Sequence, residues 1–345
     1  MTQTTKLKTL LGTIAVLAAA AWAAPQAHAQ TQLRAQTGAP GSSPFIFMTT
    51  FQTIAQKYLP VQLNVTSGAA ATRSTLDAAR KQVELFISSP AVNHYMANGT
   101  EMYAQMKEAP ELFKSIRSII DFPLGPYHIV TYEDSGIKTL KDLKGKKVFA
   151  GPPGGAATVV ALAIIEGATG FKPNVDYQQA RLDWNSGQQA FQDKQVDVMV
   201  IPTELPSPVI AQYSLLDKIR LISIPDEALN TEPMKKILAV PGRTIDEIKP
   251  GVYGKNQTNT EPVKVVGSWV GLSTYKDMDA DVVYKLTKTL FEHIDELHAA
   301  APFMSFITKD TALLQMNAPL HPGALKYYRE VGVKIDPALI PPEAQ

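Results

Sequence analysis

Short runs rich in β-branched residues alternate with helical patterns along this chain, and the alternation occurs twice. The first set covers residues 32–88 and has the order strand, helix, strand, helix, strand. After a break at 121–126, the pattern restarts at 148 and continues to 223. Strands that alternate with helices predict a mostly parallel sheet with helices on both faces. We therefore predict an α/β protein built from two such units.

The segment after the second unit suggests how the two units are connected. A strand-like run at 263–272 leads into a long periodic helix at 280–297, which cannot bury its apolar face alone. We expect the chain to return here and complete the first unit, so that two doubly wound sheets form two lobes joined by a hinge. The predicted lobes are 30–128 with 266–345, and 129–265. A cleft between hinged lobes is a common place for a trapped ligand.

The N-terminus has the pattern of a secretory signal peptide. Lys6 and Lys8 precede an apolar stretch from Leu10 to Ala24, and the small-residue triplet at 27–29 follows. This pattern predicts a signal peptide over residues 1–29, cleaved after Ala29, and hence a periplasmic protein. A membrane anchor is the alternative, but the alanine-rich stretch is shorter than the roughly 20 residues that a spanning helix needs.

The composition argues against several classes of protein. The chain has no cysteine, which argues against a lipoprotein acylated at cysteine and against a disulfide-stapled domain. Hydrophobic residues make up 45% of the 345 residues, enough for the cores of two lobes. The formal net charge is +1 and there is no run of like charges, so we expect no nucleic-acid partner. We expect the mature chain to be soluble because no second apolar run reaches spanning length.

Motifs typical of catalysis do not appear in the sequence. There is no Gly-x-Ser-x-Gly elbow. His293 and His298 are five residues apart, whereas a helical zinc motif needs a spacing of four. The segment 145–147 lacks the spacing and the hydroxyl residue of a phosphate loop, and the prolines in 151–155 lack the amides of a dinucleotide loop. We predict a protein that is not an enzyme and uses neither a metal nor a cofactor.

Glycine- or serine-rich segments follow four predicted strands, at the points where helices begin. They are residues 37–45, 66–73, 88–90 and 152–158. The first amides of a helix have no partner within the helix, and the helix dipole favours an anion there. In doubly wound sheets such ends lie together, where ligands bind. The alternative for any one segment is a tight connection that binds nothing, but four of them favour a binding cleft.

The candidate ligand-binding residues come mainly from these segments. They are Gly41, Ser42, Ser43, Phe45, Thr72, Arg73, Ser88, Ser89, Gly154, Gly155 and Ala156, together with Trp184 and Glu204. Trp184 and Trp269 have two possible roles, since each either stacks on a ligand or fills the core.

Four further stretches resemble one family of receptors. They are Asp134–Val148, Ile248–Tyr253, Val283–Glu292, and Pro319–Ala324 with Tyr327–Glu330. With them, nearly the whole mature chain resembles the TAXI family of extracytoplasmic receptors of tripartite ATP-independent periplasmic (TRAP) transporters. The resemblance implies a type II periplasmic-binding-protein fold, no catalysis, and a small carboxylate ligand such as glutamate or a dicarboxylate. It also implies an ion-driven TRAP permease as partner, often with its small and large subunits fused.

The sequence departs from the family pattern where ligand contacts are expected. Residues 154–157 replace a usual Gly-Ser-Gly-Thr and lack its two hydroxyl donors, Thr72 replaces an asparagine, and residues 88–90 replace Gln-Ser-Asp. Glu204 replaces a glycine, and a carboxylate in the cleft would repel an anion unless it were paired. Glu204 then points outward, pairs with Arg73 or Arg181, or meets a hydroxyl or amine of the ligand. These differences count against glutamate itself.

We therefore predict a receptor that binds a small anionic solute and delivers it to a TRAP permease. A receptor for an ATP-driven importer, or a periplasmic sensor, is the alternative with the same fold. A periplasmic enzyme is a third possibility, and it would require His94 or His128 to lie beside Asp183 and a serine.

Overall fold

A computed structural model describes residues 30–344, and the predicted signal peptide at 1–29 lies outside the described residues. The strands are β1 (Thr31–Gln36), β2 (Val61–Thr66), β3 (Leu85–Ser88), β4 (Ile116–Tyr132), β5 (Lys147–Phe149), β6 (Gln178–Gln179), β7 (Val198–Pro202), β8 (Ile219–Leu221), β9 (Arg243–Ile248) and β10 (Val263–Tyr275). The α-helices are α1 (Ser43–Tyr58), α2 (Ala71–Ala79), α3 (Pro90–Asn98), α4 (Ala109–Phe113), α5 (Ala156–Thr169), α6 (Trp184–Gln192), α7 (Pro208–Leu216), α8 (Glu232–Leu238), α9 (Ala280–Glu292), α10 (Ile294–Ala300) and α11 (Pro322–Glu330). None of the described helices is long and apolar enough to cross a bilayer.

Two long antiparallel strands, β4 and β10, connect the two parts of the sheet. The strand order is β2-β1-β3-β10-β4-β7-β5-β6, with β8 on β4 and β9 on β10. The first part of β4 pairs with the second part of β10, and beyond Pro126 β4 pairs instead with β7 and β8. The first part of β10 pairs with β9. The chain therefore crosses twice between the two parts, once in each long strand.

Each part of the sheet has its own hydrophobic core. One core contains Phe47 and Phe51 of α1 and Leu286 of α9, and it draws only on residues before 125 and after 269. Two adjoining clusters lie within 127–266, around Ile164 of α5 and Phe191 of α6. The predicted two-lobed α/β fold is confirmed, whereas the exact lobe boundaries stay a prediction.

Three local expectations differ from the structure. The break expected at 121–126 lies inside β4, where Gly125 adopts φ +113° and allows the strand to bend without ending. The helix expected at 280–297 is two helices, α9 and α10, separated at His293. The sheet is mixed, because β4 and β10 run antiparallel to each other while β1, β3, β5, β6 and β7 form the parallel pairs.

His128 follows Gly125 in β4, and its side chain is completely buried. It takes part in a chain of hydrogen bonds. Its Nδ1 lies 3.0 Å from the carbonyl oxygen of Pro126, and its Nε2 lies 2.6 Å from the hydroxyl of Tyr253. Since a carbonyl only accepts, Nδ1 carries the proton and Nε2 accepts from Tyr253. Burial lowers the pKa of His128 to about 4.

The buried imidazole predicts a loss of stability in acid. The unfolded chain takes up a proton on His128 near pH 6.5, but the folded protein does so only near pH 4. The free energy of unfolding should therefore fall by about 2 kcal/mol between pH 7 and pH 5 through this residue alone. Urea unfolding at pH 7 and pH 5 measures the loss of stability of each protein. The loss should be about 2 kcal/mol smaller for His128→Gln than for the wild type. Equal losses would show that His128 does not set the pH dependence.

Candidate functional site

A cleft of about 800 Å³, its open mouth included, lies where the two long strands cross between the cores. Helix starts supply much of its wall, from α1, α2, α3, α5 and α6. Loops add Gly38, Ala39, Ala69 and Pro152, and strands add Ile87 of β3, Leu124 and Tyr127 of β4, Ile201 and Pro202 of β7, Arg243 of β9, and Ser268 and Val270 of β10. Both cores therefore contribute to one hollow.

Short local sequences explain why helices begin at the cleft. Ser89 caps α3 by accepting a hydrogen bond from the amide of Val92 at 3.2 Å, and Pro90 occupies the first turn, where it needs no amide partner. Gly155 and Ala70 take extended conformations at the starts of α5 and α2. The first amides of these helices have no acceptor within the helix, so several positive dipole ends meet at the cleft.

Among the described residues that line the cleft, only Arg243 has a charged side chain. Its Nη1 donates to the hydroxyl of Ser268 at 2.6 Å, and its guanidinium lies 5.6 Å from the centre of the Tyr127 ring. Its Nε is buried and has no hydrogen-bond partner, and no aspartate or glutamate among the described residues forms an ion pair with it. The positive charge of Arg243 is therefore not neutralised by the protein.

The tyrosines beside Arg243 leave its charge uncompensated. Burial raises the pKa of Tyr95 to about 12, although the nearby Arg243 acts in the opposite direction. Burial likewise raises the pKa of Tyr127. Both phenols are therefore neutral at pH 7 and offer the guanidinium a ring face or a hydroxyl but no negative charge.

Helix α6 contributes an aromatic ring and a second free donor. Trp184 lines the cleft and packs edge-to-face on Phe149, with ring centres 5.6 Å apart. Gln188 lies one turn later, and its buried Nε2 has no hydrogen-bond partner. Trp184 therefore packs on a core ring and also faces the cleft, while stacking on a ligand stays a prediction; Trp269 packs on Phe306 with ring centres 5.7 Å apart.

Some of the residues predicted from the sequence line the cleft and others do not. Those in the lining are Ser42, Ser89, Gly155, Ala156 and Trp184. Those outside it are Gly41, Ser43, Phe45, Thr72, Arg73, Ser88, Gly154 and Glu204. The helix starts are therefore brought together, but the direction of each side chain decides which residue of a segment faces the cleft.

The side chains outside the lining have other partners. Ser43 donates to the carbonyl of Leu124 at 2.8 Å, and Ser88 donates to Asn93 at 2.9 Å. Arg73 is exposed and forms an ion pair with Asp77, one turn along α2, at 2.7 Å. These contacts hold the walls of the cleft in place.

Glu204 is buried, and among the described residues it forms no ion pair with Arg73 or Arg181, so the expectations that it points outward or pairs with either arginine are wrong. Its Oε2 accepts a hydrogen bond from Thr203 at 2.6 Å, whereas its Oε1 has no partner. Burial raises the pKa of this carboxyl group. Because Glu204 lies outside the lining, the structure does not place it opposite an amine of the ligand.

Neither His94 nor His128 lies beside Asp183 and a serine, which was the arrangement expected for a periplasmic enzyme. His128 contacts Tyr253 and Pro126, while Asp183 caps α6 by accepting from the amide of Ser186 at 2.8 Å. His94 contacts Asn98 within its own helix. The described residues contain no cluster of side chains suited to a metal ion.

Sequence reasoning missed Arg243. It follows the turn at Pro241 and Gly242 and begins a strand, and nothing local distinguishes it from the other 32 lysines and arginines of the chain. Its position in the cleft arises from the pairing of Arg243 with Ser268 across β9 and β10.

Comparisons with known proteins identify relatives of the chain. The model of the NMT1-like family matches residues 36–332. Among solved structures, the periplasmic binding protein BugD is 14% identical with a TM-score of 0.53, over 88% of this chain and 95% of that chain. The aliphatic sulphonate-binding protein SsuA from Escherichia coli is 15% identical with a TM-score of 0.40, over 89% and 90%. A TRAP periplasmic solute-binding protein from Shewanella oneidensis with bound succinate is 12% identical with a TM-score of 0.44, over 88% and 92%. The likeness to BugD shows the fold.

Proposed function

Because the chain belongs to the NMT1-like family and has the fold of a periplasmic binding protein, we propose that it captures a small anionic solute in the periplasm and delivers it to a membrane transporter. It acts as a solute-binding protein and not as an enzyme. The function needs only a selective cleft, a change of shape on binding, and a surface that the transporter recognises.

The observation that carries this proposal is the unpaired guanidinium of Arg243 in the cleft. Arg243 is partly buried, and a cation that is withdrawn from water without a counterion is costly. An anionic ligand removes that cost by forming charge-assisted hydrogen bonds. The buried Nε of Arg243 and the helix starts around it offer donors for the oxygens of such an anion. A neutral ligand would leave the charge uncompensated.

Closure of the two lobes completes the binding. The proposed lobes are 30–128 with 266–345, and 129–265, and the hinge consists of β4 near Gly125 and β10 near Gly267. When the lobes close, water leaves the cleft and the charge-assisted hydrogen bonds become stronger. A ligand group that finds no partner in the closed cleft costs about 1 to 3 kcal/mol, which gives selectivity. The closed form is the state that the transporter recognises.

The transporter in this proposal is a TRAP permease with fused small and large subunits. Support comes from the four stretches that resemble TAXI receptors, of which the first contains the turn at Leu140–Leu143 and the third lies in helix α9. Uptake of the solute driven by an ion gradient without ATP supports this partner, whereas uptake that requires ATP hydrolysis indicates an importer of the other type.

A thermal-shift screen tests the proposed function. The purified mature protein is heated with carboxylates, sulfonates, amino acids and the neutral amides of the same carboxylates. A ligand at 100 times its dissociation constant stabilises the folded state by about 2.7 kcal/mol. We expect anions to raise the melting temperature and their amides to leave it unchanged. If no anion raises it, or if the amides act equally, the proposed function is wrong.

A further inference from the structure

The charges around the cleft all have one sign. Arg243 supplies a positive charge and the helix starts supply positive dipole ends, while the described residues place no aspartate or glutamate in the lining. Among the buried carboxyl groups, Glu204 is turned to Thr203, and Asp121 lies against Gly271 of β10. An ammonium group on the ligand would thus enter a positive site without a counterion. This arrangement counts against amino acids, glutamate included.

The free side-chain groups in the lining suit one oxyanion. Among the buried side-chain atoms of the lining, the unpartnered ones are the Nε of Arg243 and the Nε2 of Gln188, and both are donors. The three serine hydroxyls of the lining each have a partner, since Ser42 donates to the carbonyl of Ala39 at 2.6 Å, Ser89 accepts from the amide of Val92 at 3.2 Å and Ser268 accepts from Arg243. A single guanidinium with a neighbouring amide provides for one negatively charged group.

The remainder of the lining is apolar. Ile87, Val92, Leu124, Ile201 and Val270 contribute branched side chains, and Trp184 contributes an indole ring. The residues at the starts of α2 and α5 present methyl groups, because Ala71, Ala156 and Ala157 stand there. A second carboxylate would lose its water among these side chains with only backbone amides as partners. An apolar body would gain from the same surface.

Resting on the proposed function, we propose that the ligand is a monoanion, a carboxylate or a sulfonate with an apolar body and no amino group. The oxyanion lies on Arg243 and Gln188, and the apolar body lies against Trp184 and the branched side chains. An amino acid is excluded because its ammonium group finds no counterion in the lining, and a dicarboxylate is excluded because its second carboxylate finds no second cation there.

Two matched series of compounds test the number of charges. The first contains hexanoate, hexane-1-sulfonate, adipate, 6-aminohexanoate and hexanamide, and the second contains benzoate, benzenesulfonate, terephthalate, 4-(aminomethyl)benzoate and benzamide. Dissociation constants are measured by calorimetry with the mature protein at pH 7 and fixed ionic strength. We expect a monoanion of at least one series to bind at least tenfold more tightly than its dicarboxylate and its amino derivative. The head group that gives the lower dissociation constant, carboxylate or sulfonate, identifies the chemical class of the ligand.

The outcomes separate this inference from the proposed function. If anions bind but in neither series does the monoanion bind at least tenfold more tightly than both its dicarboxylate and its amino derivative, the ligand class is wrong while the anion-binding function stands. If no anion of either series binds, or if the amides bind equally, the proposed function itself fails.

A gain of charge provides a second test. Ala157 is partly exposed at the start of α5, so Ala157→Lys adds a second cation to the lining. We expect this variant to raise the affinity for the dicarboxylate relative to the monoanion at least tenfold. An unchanged ratio in a folded variant would show that the number of cations does not set the selectivity.

Discussion

Replacing Arg243 with methionine should reduce the affinity for the anionic solute by about 30-fold to 4,000-fold. Methionine keeps much of the length of the side chain but removes the charge and all the donors. Loss of one partner from a buried, hydrogen-bonded charge pair costs about 2 to 5 kcal/mol, and each 1.4 kcal/mol is tenfold in affinity. Calorimetry with the tightest-binding compound of the thermal-shift screen measures the effect, and urea unfolding of each variant shows whether the fold is retained.

Two control variants make the result specific. Arg73→Met removes an arginine that the sequence favoured as a ligand contact, but Arg73 is exposed and paired with Asp77 outside the cleft lining. The affinity of Arg73→Met for the anionic solute should match that of the wild type. Arg243→Lys keeps the charge but loses the planar fork of donors, and it should bind with intermediate affinity. Equal losses in Arg73→Met and Arg243→Met, or full binding by Arg243→Met, would contradict the role of Arg243.

Gly125→Ala should lower the free energy of unfolding by about 2 to 5 kcal/mol. Gly125 has φ +113°, a conformation that a side chain rarely adopts. An added Cβ would also lie 2.1 Å from the carbonyl oxygen of Thr203 and 2.8 Å from the Cα of Glu204. Backbone strain contributes about 1 to 2 kcal/mol, and forcing extra atoms into a packed site costs about 1 to 3 kcal/mol. Urea unfolding monitored by circular dichroism measures the change.

Gly136→Ala is the matched control for the clash at Gly125. Gly136 also has a positive φ, of +73°, but an added Cβ there meets nothing within 4 Å. Gly136→Ala should lower the free energy of unfolding only by the backbone strain, about 1 to 2 kcal/mol. If the two variants are destabilised equally, the close approach of β4 to the segment after β7 does not constrain Gly125.

The alternation of strands and helices, and the helix starts at the cleft, were predicted from the sequence. These features depend on local patterns, because the period of the apolar residues and the glycine, serine and proline residues at helix starts act over a few positions. Ser89 with Pro90 and Gly155 before Ala156 lie where helices were expected to start, and both reach the cleft. The bend at Gly125 was missed, because a strand that crosses between two cores resembles a loop locally.

The charge in the cleft was decided only by the tertiary structure. Arg243 reaches Ser268 and Tyr127 because β9 pairs with β10 and β10 pairs with β4, contacts between residues that are 25 or more positions apart. Arg73 and Glu204 were candidates from the sequence. In the structure, Arg73 forms an ion pair with Asp77 of its own helix α2, and Glu204 is buried beside Thr203 outside the lining. Local residue patterns determined where helices begin, and strand pairing determined which side chains face the solute, since strand register depends on residues distant in the chain.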